Sequence, residues 1–153
     1  MKILMVCLGN ICRSPLAEGI LQQLADKNNL PWEVHSAGTN GLHNGEAPHH
    51  FTQKIALLHG VDISQQVSKK ITEADIAAYD KIYVMAEDVM AAVKKIAGSS
   101  FDENKIQYFL SQAPTQQYGN NVPDPWYGGQ EGFVTVHKII ADTCQAIITN
   151  YKK

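Results

Sequence analysis

The chain has 153 residues, of which 44% are apolar and 18% are charged, and its formal net charge at pH 7 is −2. This size and composition predict one folded domain over residues 1–153 and exclude a disordered or fibrous chain. The slightly negative charge argues against binding nucleic acid through bulk electrostatics. The apolar runs are far shorter than the ~20 residues of a membrane-spanning helix. Residues 1–6 lack the long apolar core and cleavage site of a signal peptide.

The numbers of cysteines and arginines indicate the cellular compartment of the protein and one position of special chemistry. Cysteines occur only at Cys7, Cys12 and Cys144, an odd and small number that does not fit a secreted disulfide framework. We therefore expect a reducing, cytoplasmic environment. Arg13 is the only arginine among 13 basic residues, which indicates a position that needs the planar guanidinium fork.

Hydrophobic spacing predicts alternating strands and helices along the chain. Short apolar runs are typical of buried strands, and apolar residues three or four apart are typical of helices. Strands are predicted over residues 2–6, 32–36 and 81–85, with a weaker strand over 106–110. Helices are predicted over residues 14–27, from 48 to a stop at 60, from 72 towards 79, over 87–97, and from about 131 onwards.

Local signals support the predicted helix ends and buried faces. Ser14 followed by Pro15 is typical of an N-cap with proline at the first helical position, and Thr72 precedes an acidic first turn. The predicted apolar face of the second helix consists of Phe51, Ile55 and Leu58. That of the last helix consists of Phe133, Val136, Ile140, Cys144, Ile147 and Tyr151.

Strands that alternate with helices imply βαβ units. The predicted fold is therefore a single-domain α/β structure, a doubly wound four-stranded parallel sheet flanked by helices on both faces. In such sheets ligands bind at the carboxyl ends of the strands, where the strand order reverses. The first predicted strand ends next to Cys7.

The loop after the first strand carries the spacing Cys-x5-Arg-Ser. Backbone N–H groups of a tight loop and of the first helical turn converge on one point, which favours an anion there. Gly9 allows a phosphate to approach the backbone, and Arg13 can donate two parallel hydrogen bonds to it. The same field favours a thiolate at Cys7. A buried structural cysteine followed by an ordinary turn would not explain this combination, so we predict a phosphate-binding loop.

Two distant segments resemble one known family. Residues 6–15, with the sequence VCLGNICRSP, resemble the active-site loop of the low-molecular-weight protein tyrosine phosphatases. Residues 123–128, with the sequence PDPWYG, resemble the acid loop of that family. Residues 16–18, 36–39 and 79–85 also match it, and the order, spacing and total length agree from end to end.

The resemblance implies a metal-independent, cofactor-free phosphotyrosine phosphatase. Cys7 would attack phosphorus to form a cysteinyl-phosphate, and Arg13 with the loop amides would stabilise the equatorial oxygens. Asp124, between two prolines, would protonate the leaving phenolate and then activate water. Ser14 would donate a hydrogen bond to the Cys7 sulfur, cap the helix, or do both.

Further residues are assigned by the resemblance to the pocket and its support. Ile11 stands where relatives resembling protein-arginine phosphatases carry threonine, which favours phosphotyrosine. Cys12 would protect oxidised Cys7 as a disulfide, or only pack. Leu42 falls at a wall position, and Tyr127 is a candidate phosphorylation site. The expected phosphate and substrate contacts are Leu8, Gly9, Asn10, Ile11, Cys12, Ser14, Trp126 and Tyr127.

A polar network is expected behind the loop. Asn10 and Ser36 match residues that hold the family's loop in shape, and Gln66 stands where a histidine is usual. Glutamine can hydrogen-bond but cannot titrate as histidine does. The chain also departs from the family pattern at Lys69, Ala86 and Val89.

Two alternative functions remain open at this point. A thioredoxin-coupled arsenate reductase shares the fold and loop but needs two more cysteines in a downstream segment, and residues 60–110 contain none. A catalytically dead phosphopeptide-binding module would lack the cysteine, the arginine or the acid, and all three are present. The expected partner is a phosphotyrosine-containing protein, with a cognate tyrosine kinase as a further candidate. Nucleic acid and membrane are not expected partners.

Overall fold

The computed structural model describes residues 1–125 and 129–153 and contains four parallel strands and five α-helices within them. The strands are β1 (Lys2–Cys7), β2 (Glu33–Gly38), β3 (Lys81–Val84) and β4 (Ile106–Tyr108). The helices are α1 (Arg13–Lys27), α2 (His50–Leu58), α3 (Glu73–Ala78), α4 (Glu87–Ala97) and α5 (Gly129–Lys152). None of these helices is long and apolar enough to cross a membrane.

The strand order β2-β1-β3-β4 confirms the predicted doubly wound sheet. The chain leaves β1 for β2 on one side and later returns to β3 on the other side of β1. The order therefore reverses between β1 and β3, which leaves a crevice at their carboxyl ends. Cys7, the last residue of β1, lies at this crevice.

Alternation along β1 builds one apolar core on each face of the sheet. Ile3 and Met5 face a core that includes residues of α1 and α5, while Leu4 and Val6 face a core that includes residues of α3 and α4. A strand covered on both faces is a continuous apolar run, which is why residues 3–6 have no polar side chain. The predicted helices on both faces are thus confirmed.

The N-cap predicted at Ser14 is wrong. Helix α1 begins at Arg13, and its N-cap is Cys12, which makes no side-chain capping bond. The Ser14 hydroxyl instead lies 2.9 Å from the Cys7 sulfur. Pro15 is tolerated at the third helical position because the first four N–H groups of a helix have no intrahelical acceptor.

The apolar face predicted for α2 is wrong in part. Ile55 is buried and Phe51 is half-buried, but Leu58 is 71% exposed. The buried face consists of Thr52, Ile55 and Ala56, because α2 packs on α5 and α1 along these residues.

Several element ends also differ from prediction. Strand β4 ends at Tyr108, and a 3₁₀ turn over Phe109–Gln112 replaces the end of the predicted strand. Strand β2 begins one residue after Trp32 and continues to Gly38. On α5, Tyr151 is exposed and only touches the Trp32 ring edge-on. The cap predicted at Thr72 is confirmed, and with Asp75 it forms a capping box; the bounds of α4 are also confirmed.

A stacked histidine pair between the end of α2 and α5 predicts a pH-dependent stability. The rings of His59 and His137 lie 3.9 Å apart. Burial lowers the pKa of His137, the nearby His59 lowers it further, and Asp142 opposes both effects. The folded state therefore binds this proton less tightly than the unfolded chain does. The stability that neutral His137 contributes is present above about pH 6.5 and is lost as the pH falls below that value.

We expect the urea midpoint of unfolding to decrease between pH 7.5 and pH 5.5, and His137→Gln to reduce that decrease. Glutamine cannot take up a proton in this range, so the part of the pH dependence that arises at residue 137 disappears. An unchanged pH dependence in the variant would contradict this assignment.

Candidate active site

A pocket of about 230 Å³ opens at the carboxyl end of β1. The loop between β1 and α1 forms its floor, and the segment that contains Asp124 closes one side. The pocket brings together the three predicted catalytic residues, Cys7, Arg13 and Asp124. Its lining residues are Cys7, Leu8, Gly9, Ile11, Cys12, Arg13, Asn40, Leu42, His43 and Asp124.

Asn10 holds the phosphate-binding loop (residues 7–13) in its shape. Its φ of +57° lies in the left-handed region, which asparagine tolerates better than most residues. The side chain is 2% exposed and is not part of the pocket lining. Its Nδ2 donates to the hydroxyls of Ser14 (2.8 Å) and Ser36 (2.9 Å), and its Oδ1 accepts from the Lys69 N–H (3.0 Å). This backbone turn brings the Asn10 N–H to 3.3 Å from the Cys7 sulfur.

The donors of Asn10 fix the direction of a longer buried chain of hydrogen bonds. Because each serine hydroxyl accepts from Asn10, each keeps its own proton to donate. Ser14 can then donate to the Cys7 sulfur at 2.9 Å or to the Ala37 carbonyl at 3.5 Å, and Ser36 donates to Glu18 Oε1 at 2.6 Å. Burial raises the pKa of Glu18, and the Ser36 hydrogen bond partly opposes that rise. The Cys7 sulfur thus has the Ser14 hydroxyl and the Asn10 N–H within hydrogen-bond distance.

Gln66 does not take the place of a histidine in this network. Its Nε2 donates to the carbonyl of Pro15 at 3.1 Å, in the first turn of α1. Its Oε1 is buried and has no hydrogen-bond partner within residues 1–125 and 129–153. Gln66 therefore braces the start of α1, whereas the predicted partner Ser36 does bind Asn10.

Gly38, the last residue of β2, allows the phosphate-binding loop to approach the sheet. A Cβ at this position would lie 2.9 Å from the Leu8 carbonyl oxygen and 3.0 Å from the Asn10 backbone nitrogen. Real Cβ atoms do not approach backbone so closely, so a side chain here would push the loop out of place. Ser68 adds a hydrogen bond of 3.1 Å from its hydroxyl to the Gly9 carbonyl.

Arg13 joins the phosphate-binding loop to the acid loop. The side chain is buried, and its Nη1 donates to the Val122 carbonyl at 3.0 Å. Its Nη2 lies 3.6 Å from Asp124 Oδ2, and this carboxylate is about one third exposed. The guanidinium therefore sits between the pocket floor and the predicted acid.

The backbone before Asp124 is anchored to the sheet. Val122 is buried, and its N–H donates to the Met85 carbonyl at 2.8 Å, just after β3 ends. Pro123 and Pro125 flank Asp124 and restrict the backbone on both sides of it. This anchorage explains how a segment without regular structure places its carboxylate at the pocket.

His43 lines the pocket but was not predicted from the sequence. A Cβ added to Gly9 would lie 3.1 Å from His43 Cδ2, so the imidazole packs directly on the loop backbone. Its Nδ1 lies 2.9 Å from Glu46 Oε2. Asn40 and the exposed Leu42 line the same side. No spacing rule marks His43, because it lies in an irregular, glycine-rich loop.

The two other cysteines are also buried. Burial raises the pKa of Cys12 to about 12, and its contact with the Thr52 hydroxyl only partly opposes this. Cys12 packs in a small cluster with Ile11. Burial also raises the pKa of Cys144, whose thiol points to the Ala17 carbonyl at 3.8 Å. Both thiols are therefore protonated at neutral pH.

Two sequence predictions concern the far rim and metal ions. Trp126 and Tyr127, two of the expected substrate contacts, lie outside the described residues. Within residues 1–125 and 129–153, no three His, Cys, Asp or Glu side chains come together in a group that could hold a metal ion.

Comparison with known proteins identifies the family. The sequence profile described as "Low molecular weight phosphotyrosine protein phosphatase" matches residues 2–153. The chain belongs to this family. A low molecular weight protein-tyrosine-phosphatase of Bacillus subtilis (strain 168), YfkJ, is 32% identical over 99% of this chain and 96% of its own length. The human low molecular weight phosphotyrosine protein phosphatase is 34% identical over 96% of this chain and 93% of its own length.

Solved structures agree with the family membership. The crystal structure of YfkJ from Bacillus subtilis superimposes with a TM-score of 0.92 at 32% identity, covering 99% of this chain and 94% of that chain. The crystal structure of DARP, described as a drosophila arginine phosphatase, superimposes with a TM-score of 0.91 at 30% identity, covering 100% of this chain and 99% of that chain. The low molecular weight phosphatase fold thus accounts for the whole chain.

The surroundings of the three thiols predict selective alkylation. We expect iodoacetamide at neutral pH to modify Cys7 first. Its sulfur has two hydrogen-bonding groups beside it, whereas burial raises the pKa of Cys12, which borders the same pocket, to about 12. Inorganic phosphate should slow this modification by competing for the pocket. Peptide mapping by mass spectrometry measures the rate at each cysteine.

Cys12→Ser serves as the matched control and should leave the rate at Cys7 unchanged. Modification of Cys12 as fast as that of Cys7 would contradict the assignment of Cys12 as a buried, protonated thiol.

Proposed function

We propose that this chain hydrolyses phosphotyrosine in proteins, and aryl phosphates generally, through a cysteinyl-phosphate intermediate. The observation that carries the proposal is that Asp124 meets Cys7 and Arg13 in one pocket although it lies more than a hundred positions after them in the sequence. Family membership supports the same reaction class.

In the first step the Cys7 thiolate attacks the phosphorus atom of the bound ester. The sulfur–phosphorus bond forms while the bond to the phenolic oxygen breaks, and Asp124 gives its proton to that oxygen. Negative charge on the equatorial oxygens is met by the backbone N–H groups of the loop and by Arg13, which are already in place. The 3.6 Å contact between Arg13 and Asp124 keeps the carboxyl group at the pocket.

In the second step water releases the phosphate. Asp124, now a carboxylate, takes a proton from the water that attacks phosphorus, and the sulfur–phosphorus bond breaks. The departing Cys7 thiolate is stabilised by the Ser14 hydroxyl at 2.9 Å and by the Asn10 N–H at 3.3 Å. The products are inorganic phosphate and the regenerated enzyme.

Apolar walls favour an aromatic ring as the group next to the phosphate. Leu8, Ile11 and Leu42 line the pocket, and none offers a hydrogen bond to a polar substrate side chain. Phosphotyrosine fits such walls, whereas the donors of a phosphorylated guanidinium would have to find acceptors on the side of the pocket lined by Asn40 and His43. One structural relative is described as an arginine phosphatase, so phosphoarginine is the second candidate substrate.

The surroundings of the cysteines disfavour an arsenate reductase. All three cysteines are buried, and Cys144 is enclosed on α5, where no exposed relay thiol is available. The presence of nucleophile, arginine and acid together disfavours a dead binding module. We propose a cytoplasmic enzyme that acts on a tyrosine-phosphorylated protein, with a cognate kinase as a further candidate partner.

Two substitutions test the assigned roles with p-nitrophenyl phosphate in the presence of EDTA. Cys7→Ser should abolish turnover, because a hydroxyl does not ionise in this setting. Asp124→Asn should lower kcat/KM by about 100-fold for phenyl phosphate, whose leaving group needs a proton, and less for p-nitrophenyl phosphate. Equal losses on both substrates would argue against Asp124 as the acid.

A third substitution tests the guanidinium fork. Arg13→Lys keeps the charge but loses the two parallel hydrogen bonds, so we expect kcat/KM to fall by about 100-fold. Unchanged turnover would contradict its assignment as the phosphate clamp.

Peptides of one sequence that carry either phosphotyrosine or phosphoarginine test the substrate class. We expect release of phosphate from the phosphotyrosine peptide to be the faster reaction, because the walls around Ile11 are apolar. Faster release from the phosphoarginine peptide would make phosphoarginine the substrate.

A further inference from the structure

Helix α4 receives its N-terminal cap from a distant part of the chain. Its N-cap residue, Ala86, has extended backbone and makes no side-chain capping bond. The N–H of Glu87, the first residue of the helix, donates instead to Asn121 Oδ1 at 2.8 Å, across 34 positions of sequence. A backbone N–H can only donate, so the oxygen of the Asn121 amide must face it. Asn120 adds a longer contact of 3.4 Å to the Glu87 carboxylate.

The cap adjoins the backbone that positions the acid loop. Asn121 is followed by Val122, whose N–H donates to Met85 and whose carbonyl accepts from Arg13. Two consecutive residues are therefore fastened to the end of β3 and the start of α4. Together they form the last fixed points before Asp124.

Little lies between these fixed points and the carboxylate. Pro123 alone separates Val122 from Asp124, and its ring fixes φ near −65°. A displacement of the Asn121 backbone should therefore also displace Asp124, because few backbone torsions between them can absorb it. General acid catalysis depends on the placement of the acid, and an error of about 1 Å can cost a large factor in rate.

We propose that Asn121 is a positioning residue for Asp124, which it holds over the pocket by capping α4 from the acid-loop side. The proposal rests on the proposed role of Asp124 as general acid. A cap from residue 86 would serve α4 alone, whereas the cap from Asn121 couples the start of α4 to the acid loop. The absence of a capping side chain at Ala86 leaves this position at α4 open to Asn121.

The test separates the cap from its coupling to the acid loop. Asn121→Ala removes both, whereas Asn121→Ala combined with Ala86→Ser returns a capping hydroxyl to α4 without any link to residue 121. We measure the thermal midpoint and kcat/KM for phenyl phosphate and p-nitrophenyl phosphate. The ratio of the two kcat/KM values reports proton donation to the leaving group, because kcat/KM covers the steps up to transfer of phosphate to the enzyme.

We expect Asn121→Ala to lower kcat/KM for phenyl phosphate by about 10-fold and that for p-nitrophenyl phosphate by less than about 2-fold. The double variant should regain the thermal midpoint but keep the altered ratio. Asn121→Asp, which retains an acceptor oxygen, should restore the ratio.

Two results would overturn the proposal. One is a wild-type ratio in Asn121→Ala, and the other is recovery of both the thermal midpoint and the ratio in the double variant, which would make Asn121 a cap only. Asp124→Asn, measured in parallel, distinguishes failure of the role proposed for Asp124 from failure of the role proposed for Asn121. If that variant loses equally on both substrates, the role of Asp124 fails; if it responds selectively, only the role of Asn121 is in question.

Discussion

The buried side chain of Asn10 is the constraint on which the active site depends. It holds a left-handed backbone turn with three hydrogen bonds, to Ser14, Ser36 and the Lys69 N–H. That turn brings the Asn10 N–H to 3.3 Å from the Cys7 sulfur. Removing one partner from such a buried network destabilises the fold, since each polar group left without a hydrogen bond costs about 1–3 kcal/mol of folding free energy. The loop is therefore held in one shape before substrate binds.

Arg13 couples this loop to the segment that contains Val122 and Asp124. Its guanidinium binds the Val122 carbonyl and lies 3.6 Å from Asp124, so the proposed phosphate clamp and the proposed acid are neighbours. The doubly wound sheet makes this possible, because the carboxyl ends of β1 and β3 lie side by side. The phosphate-binding loop follows β1, and Met85, which anchors Val122, follows β3. The proposed catalytic residues therefore lie at the point where the strand order reverses.

The sequence predicts the fold and the family well because both leave local signals. Short apolar runs that alternate with helical patterns predict the parallel sheet. The spacing Cys-x5-Arg-Ser at a strand–helix junction predicts an anion site. Ser14 is the instructive failure: its position is that of a helix cap, but tertiary contact with Cys7 and Asn10 takes its hydroxyl. His43 and Asn121 act through contacts across loops, which no local pattern encodes.

The most direct test of the mechanism is to trap the covalent intermediate. Wild-type enzyme and Asp124→Asn, which slows release of phosphate from the enzyme, are mixed rapidly with p-nitrophenyl phosphate, quenched in acid and digested. Mass spectrometry of the peptides should find phosphate on Cys7, with more of it in the Asp124→Asn variant. Turnover with no covalent phosphate, or with phosphate on Ser14 or another residue, would contradict Cys7 as the nucleophile.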